Sequence, residues 1–227
     1  MKNAQKHNLD FQNILKRGSL HIILIIITII MVLPVFWTFT TSVKPLEEVY
    51  AYPPNWIPKS FQWENYKTAW DAAPFARYTF NSLFVTSVIL ISQLIFSSFS
   101  AYVFARLSFP GRDLIFVLFL ATMMVPIQVV VVPTFLIFKQ LDWFDTYWAL
   151  IVPFLASAFG TFLIRQSFLA IPGELVDAAR IDGASHIRII WDILIPNSKP
   201  AYISFSLLTF TWRWNDYFWP LIMTNSA

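Results

Sequence analysis

The residues with the clearest chemical pattern lie between two apolar stretches, in the segment 170–199. Glu174 stands where a helix would begin, and an acidic side chain there interacts favourably with the helix dipole. Asp182-Gly183 is a typical turn pair, and Ser185 is a good residue to start a second helix. The pattern predicts a short helix, a glycine turn and a second helix that stops near Pro196.

This segment favours binding to another macromolecule over catalysis. Its acidic residues outnumber its arginines, so the phosphates of DNA would repel it and a DNA-reading helix–turn–helix is excluded. Its small residues would let a second surface approach the backbone, as when a helix fits a groove on a partner protein. An amphipathic loop at the membrane interface without a partner remains the alternative. The predicted docking residues are Glu174, Asp177, Ala178, Ala179, Asp182, Gly183, Ala184 and Pro196.

A second polar group lies near the end of the chain. Arg213 and Asp216 are three residues apart, so they share one helix face. We favour a charge pair at the membrane interface, framed by tryptophans. The alternative is a substrate path, because carboxylate, amide and aromatic side chains can bind a polar substrate. The predicted path residues are Gln128, Trp214, Asn215, Asp216 and Trp219.

Several kinds of chemistry have no support in the sequence. The chain has no cysteine, and its three histidines are too scattered to indicate a metal site. Its five glycines are isolated and none precedes a lysine, so no phosphate-binding loop for ATP is present. We therefore predict no catalytic residue, no metal and no cofactor. The net charge of +3 shows no clustered basic face, so nucleic acid is not an expected partner.

Composition and hydropathy predict a protein that spans the membrane. Of 227 residues, 57% are hydrophobic and 13% are charged, whereas a soluble domain has about 25% charged residues. Long charge-free stretches can cross a hydrocarbon core of about 30 Å as helices, with membrane lipid around them. Five spans are expected. They lie in Ser19–Val43, Tyr78–Ala105, Leu114–Phe138, Thr146–Ile164, and a stretch from Pro200 past Trp219.

The distribution of lysine and arginine predicts the orientation. With the N-terminus inside, ten of these residues lie in cytoplasmic segments and five in external ones, as the positive-inside rule requires. The expected layout has a cytoplasmic N-terminus, a first span, an external loop, a transmembrane core with a cytoplasmic loop, and a truncated end. In that order these segments are residues 1–19, 20–43, 44–77, 78–222 and 223–227. The cytoplasmic loop is residues 170–199, within the core.

Two features of this layout leave alternatives open. The external loop is rich in proline and aromatic residues, and it could pack on the helix ends or dock an extracellular partner. Pro126 and Pro133 flank Gln128 in the third span. They could bend a pore-lining helix, but membrane helices also tolerate proline, and we favour simple tolerance.

The cytoplasmic loop resembles that of ATP-binding-cassette (ABC) importer permeases. Asp177-Ala178-Ala179, Gly183 and Ile195-Pro196 match the Glu-Ala-Ala-x-x-x-Gly motif and the apolar-Pro pair that follows it, with aspartate in place of glutamate. Met124–Gln128 is similar to the third span of sugar-importer permeases. The Trp214-Asn-Asp-Tyr-Phe-Trp-Pro-Leu-Ile222 segment is similar to the end of their fifth span, which narrows the resemblance to the carbohydrate branch.

The resemblance implies an all-α, polytopic helical bundle with the ABC type I importer permease fold. It implies a carbohydrate-transport subunit in a bacterial inner membrane, whose coupling helix sits in a cleft of an ATPase subunit that hydrolyses ATP. The other implied partners are a homologous permease and an extracellular solute-binding protein. Such permeases have six spans, so we expect the sixth to be missing here and the sequence to be a fragment. An ion-coupled secondary transporter is the alternative from another class.

Overall fold

The described part of the chain is helical throughout its regular elements. The computed structural model describes the backbone of residues 2–225 and the side chains of residues 17–225. Parts of the two predicted end segments, 1–19 and 223–227, therefore lie outside the described residues. The chain divides into two compact units, residues 1–75 and 76–227.

The first unit contains one long helix and two short ones. They are α1 (Lys2–Ser42), α2 (Leu46–Val49) and α3 (Glu64–Ala72). From Arg17 to Ser42, α1 is long and apolar enough to cross a membrane, and none of its most apolar window is buried in the chain. The helix continues without a break through the boundary expected at residue 19.

The second unit carries the remaining helices. They are α4 (Phe75–Arg106), α5 (Arg112–Ala121), α6 (Ile127–Gln140), α7 (Tyr147–Ile151), α8 (Ala158–Leu169), α9 (Gly173–Ile181), α10 (His186–Arg188), α11 (Ile195–Asn197), α12 (Lys199–Trp214) and α13 (Phe218–Met223). A π-helical stretch, Ile189–Leu194, joins α10 to α11.

Three of the five expected spans are long, apolar helical stretches in the described residues. They are Arg17–Ser42, Phe75–Arg106 and Tyr147–Leu169. The third and fifth expected spans do not each form one long apolar stretch, which corrects the sequence prediction. The third is a pair of helices, Arg112–Met124 and Ile127–Gln140, that meet at 91°. The fifth contains only the 16 residues of α12 before its break, about 24 Å of helix.

Proline causes the break in the third span. Pro126 has no backbone N–H, and it disfavours the helical region for Val125 before it. Val125 is accordingly extended (φ −80°, ψ 116°), and α6 begins just after Pro126. Pro133, by contrast, lies inside α6. The expectation of simple tolerance is therefore wrong for Pro126 and holds for Pro133.

The fourth span is interrupted too, and α4 supplies the missing hydrogen bond. Pro153 lies in a short 3₁₀ turn between α7 and α8. The Gln93 side chain of α4 is buried, and its Nε2 donates to the Phe154 carbonyl at 2.7 Å. Thr209 of α12 donates to Gln93 Oε1 at 3.4 Å. One buried amide thus links α4, the break in the fourth span, and α12.

Close packing holds the same three helices together one turn further along. Gly160 of α8 is buried against Phe205 of α12 and Ser97 of α4. A Cβ atom at position 160 would lie 2.7 Å from Ser97 Oγ and closer still to the Phe205 ring. Only a residue without a side chain fits this contact.

We predict that Gly160→Ala destabilises the second unit by about 2 kcal/mol, because overpacking a tight core costs about 1–3 kcal/mol. Thermal unfolding of the detergent-purified protein measures this loss as a lower midpoint. Gly18→Ala is the matched control, since a Cβ at position 18 has no neighbour within 4 Å. Equal midpoints for the two variants would contradict the packing argument.

Candidate functional site

The segment 170–199 folds as the sequence pattern predicts. The helix α9 is followed by a turn at Gly183, and the Ser185 hydroxyl accepts a hydrogen bond from the Arg188 N–H at 3.3 Å. The second helical stretch runs from His186 to Asn197, one residue beyond Pro196. We call residues 170–199 the coupling loop from here on.

Gly183 is required by the backbone of the turn. Its φ of +77° lies in the left-handed region, which L-residues other than asparagine and aspartate rarely adopt. A Cβ at position 183 would meet nothing within 4 Å. The reason for glycine here is therefore conformational, and a bulky residue would strain the turn whether or not a partner docks.

One side of the coupling loop packs into the helical bundle. Val176 of α9 and Ile189, Ile190 and Leu194 of the second helical stretch are buried. They belong to one hydrophobic cluster that also contains Phe168 and other residues of α4, α8 and α12. The loop is therefore a packed extension of the bundle.

The opposite side of the coupling loop is exposed and partly apolar. Ile181, at the end of α9, is 87% exposed, the largest exposed fraction among the large hydrophobic side chains of the loop. Leu175 and Ile187 are about half exposed. Exposed aliphatic side chains at the tip of a rigid protrusion are typical of a docking surface.

The predicted docking residues divide between the two sides. Six are exposed: Glu174, Asp177, Ala178, Asp182, Gly183 and Pro196. Ala179 and Ala184, by contrast, are half-buried and pack against the hydrophobic cluster. Asp177 pairs with Arg180 at 3.5 Å on the surface. The small residues expected to face a partner are Ala178, Ala179, Gly183 and Ala184. Only part of this patch is available, because Ala179 and Ala184 hold the loop to the bundle.

An arginine of α4 fixes the start of the coupling loop. Arg106 Nη2 donates to the Phe168 carbonyl at 2.5 Å and to the Ile171 carbonyl at 2.6 Å. The Phe168 carbonyl lies in the last turn of α8 and also accepts from the Ile171 N–H at 3.2 Å, and the Ile171 carbonyl lies two residues beyond the helix. Sequence reasoning used Arg106 only for orientation, although its place directly after a charge-free stretch could have drawn attention to it.

A histidine of the coupling loop is tied to the same helix. His186 Nδ1 and the Tyr102 hydroxyl are 2.5 Å apart, and their rings lie edge to face at 5.5 Å. The sequence analysis gave His186 no role, since no motif marks this partner. Two polar contacts from α4, one turn apart, therefore connect the membrane-spanning part to the coupling loop.

The five predicted substrate-path residues do not form one group. Gln128 lies exposed at the start of α6. Asp216 is paired with Arg213 at 2.9 Å and accepts from the Trp219 N–H at 3.2 Å. Trp219 is only 2% exposed and donates from Nε1 to the Ala149 carbonyl at 2.9 Å. Asp216 and Trp219 thus stabilise the break between α12 and α13.

A cleft lined by both polar and apolar side chains adjoins this break. It has a volume of about 250 Å³ and lies between the beginning of α4 and the end of α12. Trp214 and Asp216 line it, while Asn215 donates instead to the Thr211 carbonyl of its own helix. The other lining residues are Tyr78, Asn81, Ser82, Val85, Thr86, Leu150, Arg213, Pro220 and Thr224. We call this the α4–α12 cleft.

Comparison with known proteins identifies the family. Residues 93–227 match the family described as binding-protein-dependent transport system inner membrane component. The chain belongs to this family. The matched region contains the coupling loop and most of the α4–α12 cleft, and the resemblance found in the loop motif is confirmed.

Individual relatives are similar to this protein over nearly the whole chain. The sn-glycerol-3-phosphate transport system permease protein UgpE of Yersinia enterocolitica is 36% identical over 213 residues, 91% of this chain and 76% of the relative. The protein of the same name from Brucella abortus is 37% identical over 214 residues, with the same coverage. A bacterial ABC transporter that imports the acidic polysaccharide alginate has a similar structure, with a TM-score of 0.82 and 26% identity. The match covers 92% of this chain and 74% of that one.

These findings establish the main conclusions from the sequence. The protein is a transmembrane permease subunit of an ABC importer, with the all-α type I importer fold. It is a multi-pass component of a bacterial inner membrane and is not itself catalytic. The alternative of an ion-coupled secondary transporter is replaced by this family assignment.

We predict that Arg106→Met loosens the coupling loop by about 2 kcal/mol, because it removes the buried side-chain donor that the Phe168 and Ile171 carbonyls share. Limited trypsin digestion should then cleave faster after Arg180 and Arg188. Arg112→Met is the matched control, since Arg112 pairs with Asp113 at the surface. Unchanged cleavage in Arg106→Met would show that Arg106 does not hold the loop.

Proposed function

We propose that this permease forms half of the translocation path of a carbohydrate importer and that its coupling loop docks in a cleft of an ATPase subunit. The N-terminus is cytoplasmic, and so is the coupling loop. The single observation that carries the proposal is the two-sided coupling loop, buried against the bundle on one side and exposing Ile181 and Ala178 on the other.

The exposed side suits a groove in a protein. Ile181 offers an aliphatic side chain that loses water on docking, which is favourable by about 25 cal/mol per Å². Ala178 and Gly183 have little or no side chain, so a partner can approach the backbone there. Glu174 and Asp182 surround this surface with negative charge, which would favour basic residues at the rim of the partner's cleft.

The buried side suits the transmission of movement. Arg106 and Tyr102 both lie in α4 and both bond to the coupling loop or its start. A displacement of the loop would therefore move α4 as well, since packed contacts do not stretch continuously. ATP binding would close two ATPase subunits, draw two coupling loops together and switch the bundle between inward- and outward-facing states.

The remaining partners follow from this arrangement. ATP hydrolysis takes place in the ATPase subunits, and a second, homologous permease supplies the other half of the path. An extracellular solute-binding protein delivers the substrate, in agreement with the description of the family. The named relatives transport sn-glycerol-3-phosphate and alginate, which supports a hydroxyl-rich substrate of the carbohydrate class.

The α4–α12 cleft is the proposed place of contact with this substrate. Asn81 and Ser82 offer an amide and a hydroxyl along one side, whereas Thr86 is buried. Trp214 is 41% exposed and offers an aromatic face on the other. Trp219 is buried and takes no part, and Gln128 and Asn215 are outside the cleft.

We predict that Ile181→Asp weakens binding of the ATPase subunit about 30-fold, since truncating a central docking residue costs about 2 kcal/mol and each 1.4 kcal/mol is tenfold. Titration of the reconstituted permease with purified ATPase subunit measures the change. The residue is 87% exposed, so the substitution should leave the fold intact.

Ile181→Val is the matched control, because it retains an aliphatic side chain and should bind nearly as well. If both variants bind like the unsubstituted protein, Ile181 lies outside the interface and the docking proposal fails. Substituting Ile181 tests docking without the backbone strain that a substitution of Gly183 would add.

We predict that Trp214→Ala raises the KM for substrate uptake about fivefold, since loss of an aromatic stacking contact costs about 1 kcal/mol. Uptake into vesicles at a range of substrate concentrations measures it, while ATPase activity without substrate should not change. Trp212→Ala is the matched control: Trp212 is also exposed in α12 but does not line the cleft. The same effect from both variants would count against the cleft.

A further inference from the structure

The segment after α1 exposes an unusual number of aromatic side chains. No residue of α3 is buried. More than half of each of the rings of Tyr50, Tyr52, Phe61, Trp63, Tyr66 and Trp70 is exposed, and Trp56 is half exposed. An exposed aromatic surface of this size indicates contact with something outside the chain.

Hydrogen bonds hold this segment to the end of α1. The Gln62 N–H donates to the Val43 carbonyl at 2.8 Å. Asn65 Nδ2 donates to the carbonyls of Ser42 and Lys44, each at 3.0 Å. The Tyr66 hydroxyl lies 2.7 Å from the Ser42 hydroxyl. The start of α3 is therefore fixed relative to the membrane-spanning helix before it.

A buried lysine strengthens the attachment. Lys44 is only 3% exposed. Its Nζ donates to the Asn55 carbonyl at 2.5 Å and lies 4.2 Å from the centre of the Trp37 ring. A charged group buried to this degree needs such partners, because removal from water is costly. Lys44 thus draws the chain around residue 55 back towards α1.

Ring contacts show how far back the segment folds. Trp56 lies edge to face with Trp37 at 5.0 Å, and Trp63 lies 6.5 Å from Phe39. Trp37 and Phe39 precede the last residue of α1 by five and three positions, which is about 7.5 Å and 4.5 Å along the helix axis. The two loop tryptophans therefore lie beside the last two turns of a helix that is exposed over its apolar length.

Aromatic and charged residues lie on different faces of α3. Trp63, Tyr66 and Trp70 follow a spacing of three and four residues and share one face. Glu64 and Lys67, which are 3.5 Å apart, belong to the polar side. Short helices with this division, with tryptophan on the apolar side, lie at the membrane–water boundary.

We propose that residues 56–70 form an interfacial anchor that lies in the phospholipid headgroup layer at the Ser42 end of α1. Tryptophan and tyrosine prefer this layer because each has an apolar ring and a polar group that remains hydrated. The depth of Trp56 and Trp63 beside α1 favours lipid over a soluble protein, which could not reach ring atoms level with a membrane-spanning turn. The anchor fixes the depth of α1 in the bilayer.

The absence of cysteine from the chain allows a direct test. Four single-cysteine variants of the full chain would each carry a nitroxide spin label: Trp63→Cys and Trp70→Cys on the aromatic face, Glu64→Cys and Thr68→Cys across the helix. All four positions are exposed, so the labels disturb no buried packing. The protein is reconstituted in phosphatidylcholine vesicles, and collision rates are measured with oxygen, which enters lipid, and with a nickel chelate, which stays in water.

We expect the ratio of oxygen to nickel collisions at positions 63 and 70 to exceed that at 64 and 68 several-fold. Two results would overturn the anchor. One is a high nickel rate at all four positions, which would describe a water-exposed surface suited to a soluble partner. The other is an equal ratio on both faces, since a helix at the interface must have a lipid side and a water side.

Discussion

The structure depends on one constraint, that a backbone carbonyl or amide within a membrane must find its partner inside the protein. A chain of continuous helices would satisfy this automatically, but this chain interrupts its spans at Pro126, near Pro153 and at Asn215. Each interruption frees backbone groups, and polar side chains satisfy several of them. Gln93 bonds to the Phe154 carbonyl, and Asp216 to the Trp219 N–H. The buried polar residues Gln93 and Thr209 are explained by the break near Pro153 that they stabilise.

The same constraint explains why the coupling loop is bonded to the bundle. Where α8 ends, Arg106 of α4 donates to the Phe168 carbonyl of its last turn and to the Ile171 carbonyl just beyond it. That solution places a charged group of a membrane-spanning helix directly under the loop. Tyr102, one turn earlier in α4, reaches His186 in the second half of the loop. The bonds at the end of α8 thus connect the loop to a second helix, α4, and the proposed coupling to an ATPase subunit requires such a connection.

Many of the spans and the turn of the coupling loop could be predicted from sequence, because neighbouring residues determine them. Runs without charge mark the spans, and the turn at Gly183 follows from residues that adopt positive φ. The predictions are wrong or incomplete where the structure depends on contacts between residues far apart in the sequence. The third span reads as one apolar stretch, yet Pro126 bends it by 91°. Ala179 appears available for docking until Val176 and the second helical stretch are seen to bury that side of the loop. Arg106 and His186 lack any motif because their partners are backbone or hydroxyl groups more than 60 residues away.

Two exposed surfaces remain, and their chemistry indicates different occupants. The coupling loop exposes aliphatic and small side chains next to acids, with Ile181 and Ala178 as the main examples. Such a surface loses water completely in a protein groove and gains nothing from a headgroup layer that is itself hydrated. The segment 56–70 exposes rings such as Trp63 and Tyr66, which carry an N–H or O–H that must stay hydrated while the ring leaves water. The difference between aliphatic and amphipathic aromatic side chains therefore supports the proposals of a protein partner for the first surface and of the lipid boundary for the second.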